Sequence, residues 1–138
     1  MNSAAITVQA IINASIEKVW KFWTTPEHIT QWNNASDDWH TPRAENDLRT
    51  GGKFLSRMEA KDGTMGFDFE GEYINVLPLK LIEYKLGDDR RVSISFSETD
   101  NQTTVIETFD AENINSIELQ KNGWQSILIN FKSYTESN

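Results

Sequence analysis

Ile117-Glu118-Leu119-Gln120-Lys121-Asn122-Gly123-Trp124-Gln125-Ser126-Ile127-Leu128-Ile129-Asn130-Phe131-Lys132-Ser133-Tyr134 is the stretch on which the fold turns. On a helix of 3.6 residues per turn, Ile117, Gln120, Trp124, Ile127, Leu128, Phe131 and Tyr134 share one stripe of roughly 120°. Asn115 with Glu118 makes a capping box at its start, so the spacing predicts about five turns of helix from Asn115 to Glu136. Gly123 lies inside it, where glycine costs about 1 kcal/mol against alanine, and this implies a close packing contact at that point. A helix with so wide an apolar face has to lie on another layer, and the preceding sequence supplies a sheet.

Phe67, Phe69, Gly71 and Tyr73 alternate with Asp68, Glu70 and Glu72 across Phe67 to Val76, the sharpest period of two in the chain. On its N-terminal side, Ala44 to Leu48 reads as a short strand, closed by the turn Arg49-Thr50-Gly51-Gly52. Lys53 to Ala60 places Phe54, Ser56 and Met58 on one face, and Lys61-Asp62-Gly63 turns the chain back. Beyond Pro78, Leu79 to Leu86, Arg91 to Ser97 and Thr103 to Phe109 read as three more strands, separated by Gly87-Asp88-Asp89 and Asp100-Asn101-Gln102. Each strand with one apolar face turns that face to the helix.

Further upstream, Ile6 to Ile12 is β-branched and reads as a strand. Ser15 is an N-cap ahead of Ile16, Val19, Trp20 and Trp23, which share one helical face. Thr25-Pro26-Glu27 restarts a second short helix, ending near Trp32. Residues 33–42 have no clean period and read as a loop. The fold class is therefore α+β: a curved antiparallel sheet wrapped around a long C-terminal helix, with two short helices after the first strand.

Composition narrows the function classes. The 138 residues suit one domain, read as spanning residues 1–138, that buries roughly two-thirds of its unfolded surface. A net charge of −8 offers no basic face to nucleic acid or to an anionic membrane. The absence of cysteine excludes disulfides and thiol chemistry. Met1-Asn2-Ser3-Ala4-Ala5 does not read as a signal segment, and no apolar run approaches the roughly 20 residues needed to span a bilayer. The cytoplasm is the expected location.

Several segments in order, Ile16 to Trp20, Thr25-Pro26-Glu27-His28-Ile29-Thr30-Gln31-Trp32, Asp47-Leu48-Arg49-Thr50-Gly51-Gly52-Lys53-Phe54, Gly71-Glu72-Tyr73 with Pro78, and Gly123-Trp124, resemble a known pattern. It is that of the START-like (SRPBCC) superfamily, and within it of the activator of heat-shock protein 90 ATPase homologue-like domain. The resemblance implies a helix-grip fold with a cavity between sheet and helix, one that often holds an apolar ligand. It implies no reaction, because relatives include binding proteins, a co-chaperone domain and some cyclase-like or hydrolytic enzymes. The eukaryotic co-chaperone carries a second domain that is not expected here.

The residues expected to line such a cavity are Trp32, Trp39, Phe54, Ser56, Met58, Phe69, Tyr84, Phe96, Trp124 and Leu128. Apolar walls with a few polar groups are the usual form of a small-molecule site, and Ser56, Tyr84 or His40 would supply the polar contacts. The leading reading is a non-catalytic domain holding a small apolar or amphipathic molecule. A co-chaperone-like interaction module with a chaperone partner is the second, and a cyclase- or hydrolase-type enzyme using Glu107 or His40 as base is the third. The inward face of the strand carrying Glu107 is left open. Pointing inward, Glu107 is the best candidate for a buried carboxylate with a raised pKa; pointing outward, the preferred reading, it is a solvated strand residue. Asp37, Asp38 and His40, with His28 upstream, lack the spacing of a metal site, so no metal and no cofactor is expected. Arg49 is read as solvated or paired with Asp47. Leu119 and Ile129 lie off the helical stripe and would serve a weak homodimer; the alternative is a monomer.

Overall fold

The computed structural model describes residues 4–138; Met1, Asn2 and Ser3, where the sequence was read for a signal segment, lie outside the described residues. Strand β1 (Ala5–Ile12) is followed by helices α1 (Ile16–Thr24) and α2 (Pro26–Trp32). Strands β2 (Trp39–Asn46), β3 (Lys53–Ala60), β4 (Gly66–Leu77), β5 (Leu81–Leu86), β6 (Arg91–Thr99) and β7 (Gln102–Asp110) come next, and helix α3 (Ile117–Ser137) closes the chain. Among the described residues the seven strands make one antiparallel sheet in the order β1-β7-β6-β5-β4-β3-β2. The sheet curls around α3 as a half-barrel, the α+β helix-grip arrangement expected from the alternating strands and the helical stripe.

Register explains the core. Val8 of β1, Glu107 of β7 and Ile94 of β6 stand side by side, as do Ile82 of β5 and Ile94. Ile6, Val8, Ile12, Val92, Ile94, Phe96, Val105 and Phe109 therefore share the concave face and are all buried. Each large apolar side chain taken fully from water contributes about 1.5–3 kcal/mol. The C-terminal half of α3 seals this part: Leu128 and Phe131 are wholly buried, and the rings of Trp23 and Trp32 stand edge-on to Phe131 at 4.7 and 4.8 Å.

Local chemistry sets the ends of the elements. The Ser15 hydroxyl accepts from the Lys18 amide to cap α1, and Thr25 precedes Pro26 at the start of α2. Gly51 takes φ +85, and the Arg49 guanidinium donates to both Asp47 carboxylate oxygens at 3.0 Å. A Cβ on Gly52 would fall on the Asp47 carbonyl, so that position needs glycine.

Three boundaries differ from the sequence reading. Strand β2 begins at Trp39, inside the stretch read as loop, and ends at Asn46. Its register shifts between His40 and Arg43, around Pro42, and β2 is an edge strand; proline is tolerated at a bulge on an edge but hides the period. Strand β5 starts at Leu81 because Leu79 takes φ 65 in the preceding turn. The N-cap of α3 is Ser116, whose hydroxyl accepts from the Leu119 amide at 3.1 Å; Asn115 instead donates to Glu112. Among the described residues no helix is long and apolar enough to cross a membrane.

Candidate functional site

The N-terminal half of α3 does not settle onto the sheet as the C-terminal half does. Beneath it lies a cavity of about 530 Å³. Phe54, Ser56 and Met58 of β3, Phe67, Phe69 and Tyr73 of β4, Ile82 and Tyr84 of β5, Ile94 of β6 and Glu107 of β7 form its floor. Gln120, Gly123, Trp124 and Ile127 of α3 form the roof, and Ile29, Trp32 and Trp39 close one end. The strands supply these side chains because each second residue points to the concave face, and β3 and β4 continue that face past the reach of the helix.

Aromatic rings define the walls. Trp124 stacks on Phe109 at 3.9 Å and 12°, which fixes its indole under the helix. Phe54 meets Tyr84 edge-on at 4.6 Å, and Phe69 stands between Tyr84 and Trp124 at 6.4 and 6.2 Å. Gly123 is not explained by a close contact, contrary to the sequence reading. A Cβ built there meets nothing within 4 Å, so glycine keeps the roof thin where it borders the cavity.

Of the ten residues expected to line the cavity, the structure brings Trp32, Trp39, Phe54, Ser56, Met58, Phe69, Tyr84 and Trp124 to it. Phe96 and Leu128 lie elsewhere. Phe96 is two residues beyond Ile94 on β6, where Trp20 and Trp23 of α1 cover it at 5.2 and 5.9 Å. Leu128, one turn after Trp124, is wholly buried in the sealed half. His40, considered as a polar contact or base, sits half-exposed on β2 with Nε2 3.8 Å from Glu59 and does not line the cavity. His28 stacks on Phe22 and shares a 2.7 Å hydrogen bond with the Tyr134 hydroxyl, a structural role. Leu119 is exposed at the cavity rim, and Ile129 is exposed on another side of α3.

Polar groups around the cavity fall into two sets. Tyr73 donates to the Asn46 Oδ1 at 2.5 Å, Asn46 donates on to the Thr24 carbonyl, and Thr41 donates to the Asn33 carbonyl. The Gln120 amide is held by Glu112 and Asn115. These bonds tie α1, α2 and the start of α3 to the sheet. Ser56, Tyr84 and Glu107 are also buried, yet among the described residues their side chains take no hydrogen bond from the protein.

Glu107 corrects the sequence reading most sharply. It faces inward and is only 5% exposed. The signal was parity: Val105 and Phe109, two residues to either side, are the apolar residues of the inward face, and Ile106 points the other way with its flanking threonines. Burial, with no other cause, pushes the Glu107 carboxyl up to about 8. Burial also pushes the Tyr84 hydroxyl well above its ordinary value, and the neighbouring Glu107 adds to this. Tyr73, Asn46, Gln120 and Arg90 also line the cavity. Periodicity could have found Tyr73 on β4 and Gln120 on the helical stripe, whereas Asn46 ends the bulged strand β2 and Arg90 lies in the turn before β6.

Among the described residues no three histidine, aspartate or glutamate side chains are placed to share a metal ion. Asp37 and Asp38 are exposed, and Asp38 accepts a hydrogen bond from Ser36.

A sheet curled on one helix, two short helices and a half-roofed cavity describe a fold; the sequence match decides the family. The model of the Activator of Hsp90 ATPase homolog 1-like protein family matches residues 13–136. The chain belongs to that family. It is 42% identical to the AHSA1-like protein of Aeromonas hydrophila, whose solution structure superposes with a TM-score of 0.91 over 97% of this chain and 93% of that one. A protein of Cytophaga hutchinsonii is 53% identical, with a TM-score of 0.83 over 96% of this chain and 92% of its own. A protein of Chromobacterium violaceum shares the fold at 18% identity, with a TM-score of 0.85 over 98% and 99% of the two chains. No curated protein matches the chain. The family relationship agrees with the START-like superfamily and with a binding domain in the general sense.

Proposed function

We propose that this family member is a non-catalytic carrier that holds one small apolar or amphipathic molecule between the sheet and the N-terminal half of α3. The observation that carries this reading is the aromatic cavity of about 530 Å³ beneath the N-terminal half of α3. Cavities of about 300–1,000 Å³ with apolar walls and a few polar groups are the usual form of a small-molecule site. Apolar burial at about 25 cal/mol per Å² supplies the affinity, and the polar floor sets orientation. Acid–base chemistry is the weaker reading. Neither histidine lines the cavity, and among the described residues none of its hydroxyls is hydrogen-bonded to one of its carboxyls as the paired nucleophile and base of hydrolysis would be.

Native mass spectrometry of protein purified from its own host tests the reading. A small added mass that disappears on denaturation is the expected result. A bare chain that also takes up nothing from a lipid and metabolite extract would reject it. A protein-interaction role on an Hsp90-like ATPase is supported by the family description and by the exposed Met65, Phe67, Ile117 and Leu119. A co-purified protein in the same spectrum would favour it.

A further inference from the structure

If the cavity is a ligand site, as proposed above, its charges narrow the ligand. Glu107 is a carboxyl at the floor of an aromatic cavity, 95% removed from solvent, with its side chain open to the cavity. Val8 and Ile94 flank it in the sheet. From β5 the Tyr84 hydroxyl faces the same region, and from β4 the Tyr73 hydroxyl is already committed to Asn46. Overhead, α3 contributes Gln120 and Trp124, which carry no charge, and the Gln120 amide is committed to Glu112 and Asn115.

Two further carboxylates, Glu45 and Glu112, line the cavity. Among the described residues Arg90 is the one basic side chain that does so, and its Nε donates to Asp88 at 2.7 Å. Arg90 opposes the rise of the Tyr84 hydroxyl, and burial is what raises Glu107. At the cavity edge Glu45 is exposed beside Arg43 and Glu112 accepts from Asn115, so the interior joins one unpaired acid, Glu107, to electron-rich ring faces in a chain of net charge −8. A buried carboxyl without a partner is costly in its ionised form and gives an apolar floor nothing in its neutral form. A cation supplied from outside removes that penalty, and tryptophan, tyrosine and phenylalanine faces attract the same charge.

We propose that the ligand is an amphipathic amine, its protonated nitrogen seated against the Glu107 carboxylate and its apolar body among Phe54, Phe69 and Trp124. Anionic molecules such as fatty acids gain no ion pair in the space, because Arg90 is already bound to Asp88. Binding has a definite pH signature. Below about pH 8 the carboxyl has to release its proton for the ion pair to form, so affinity for an amine rises about tenfold per pH unit toward that value. It levels off between there and the titration of the amine itself. A neutral ligand shows no such rise.

The experiment titrates wild type and Glu107→Gln by calorimetry with phenylbutylamine, with its neutral counterpart phenylbutanol, and with the neutral dye N-phenylnaphthylamine. At about pH 8.5 the amine should bind wild type at least about tenfold more tightly than the alcohol, and the preference should disappear in Glu107→Gln. The rise of amine affinity with pH in wild type gives the same answer without relying on the variant to fold. Equal binding of amine and alcohol, or an amine affinity that does not change with pH, overturns the amine assignment and leaves the ligand reading standing. Uptake of the dye with no binding of the amine does the same. If none of the three compounds binds, both the assignment and the ligand reading fail.

Discussion

The two halves of α3 cover the same sheet with opposite results. Toward the C-terminus, Leu128, Phe131 and Thr135 are fully buried, and rings from α1 and α2 fill the remaining space. Toward the N-terminus, Gln120, Gly123 and Trp124 lie over rings from β3, β4 and β5 that leave about 530 Å³ between them. Both regions are rich in aromatic residues, so ring content does not separate a core from a cavity. What separates them is whether a second layer arrives. Helix α1 closes over β6 at Phe96, whereas Phe67 of β4 is exposed.

The contrast predicts unequal responses to truncation. Phe131→Ala should cost about 3–5 kcal/mol, as expected for a ring removed from a sealed core, read as the shift in urea or thermal unfolding. Trp124→Ala should cost less, because Trp124 is only partly buried and loses mainly its stack on Phe109. Equal costs would mean that the two halves are packed alike.

Glu107→Gln should sharpen the difference through pH. The folded state holds the Glu107 proton up to about 8, while the unfolded chain releases it near the ordinary glutamate value. Between those values the native state binds more protons than the unfolded one. Wild-type stability therefore falls as pH rises across that window. The variant lacks this loss, so its advantage should grow by up to about 1.4 kcal/mol per pH unit from about pH 5 to about pH 8 and then level off. Denaturant midpoints of both proteins across that range check it; an advantage that does not vary with pH would place Glu107 in solvent.

Gly123→Ala should give the smallest change and the opposite sign. Alanine removes the helix penalty of glycine and meets no neighbour, so the protein should gain about 1 kcal/mol. Any ligand should bind more weakly to it. Gly71 is not an equivalent place to fill the cavity. A Cβ there would lie 2.6 Å from the Lys85 carbonyl oxygen, so a larger residue would strain the sheet before it reached the space.

How far these features could be read in advance depends on whether they are periodic. The helix stripe and the alternation Phe67, Phe69, Tyr73 stood in the sequence and led to the layers and to eight lining residues. Phe96 and Leu128 share the periodicity of the lining residues, but α1 covers Phe96 and Leu128 lies in the sealed half of α3, and coverage by a distant element leaves no local trace. Trp39 belongs to a strand masked by Pro42 and a bulge, although its aromatic character marked it for the site. For Glu107 the sequence reading leaves both orientations open and prefers the outward one, although the parity of Val105 and Phe109 turns it inward. At a site, a charged residue in an inward position is the informative exception.

The most direct test of the contrast is uptake of a neutral apolar fluorophore, N-phenylnaphthylamine, by wild type, Gly123→Leu and Ile129→Ala. Gly123 borders the cavity, and Ile129 is exposed on another side of the same helix. The cavity should take up one dye in wild type and in Ile129→Ala. It predicts a loss of at least about tenfold in affinity for Gly123→Leu, with helix content and melting temperature retained. A wild type that takes up no dye, or a Gly123→Leu protein that binds it equally well, would contradict the claim that the space beneath the N-terminal half of α3 receives a ligand.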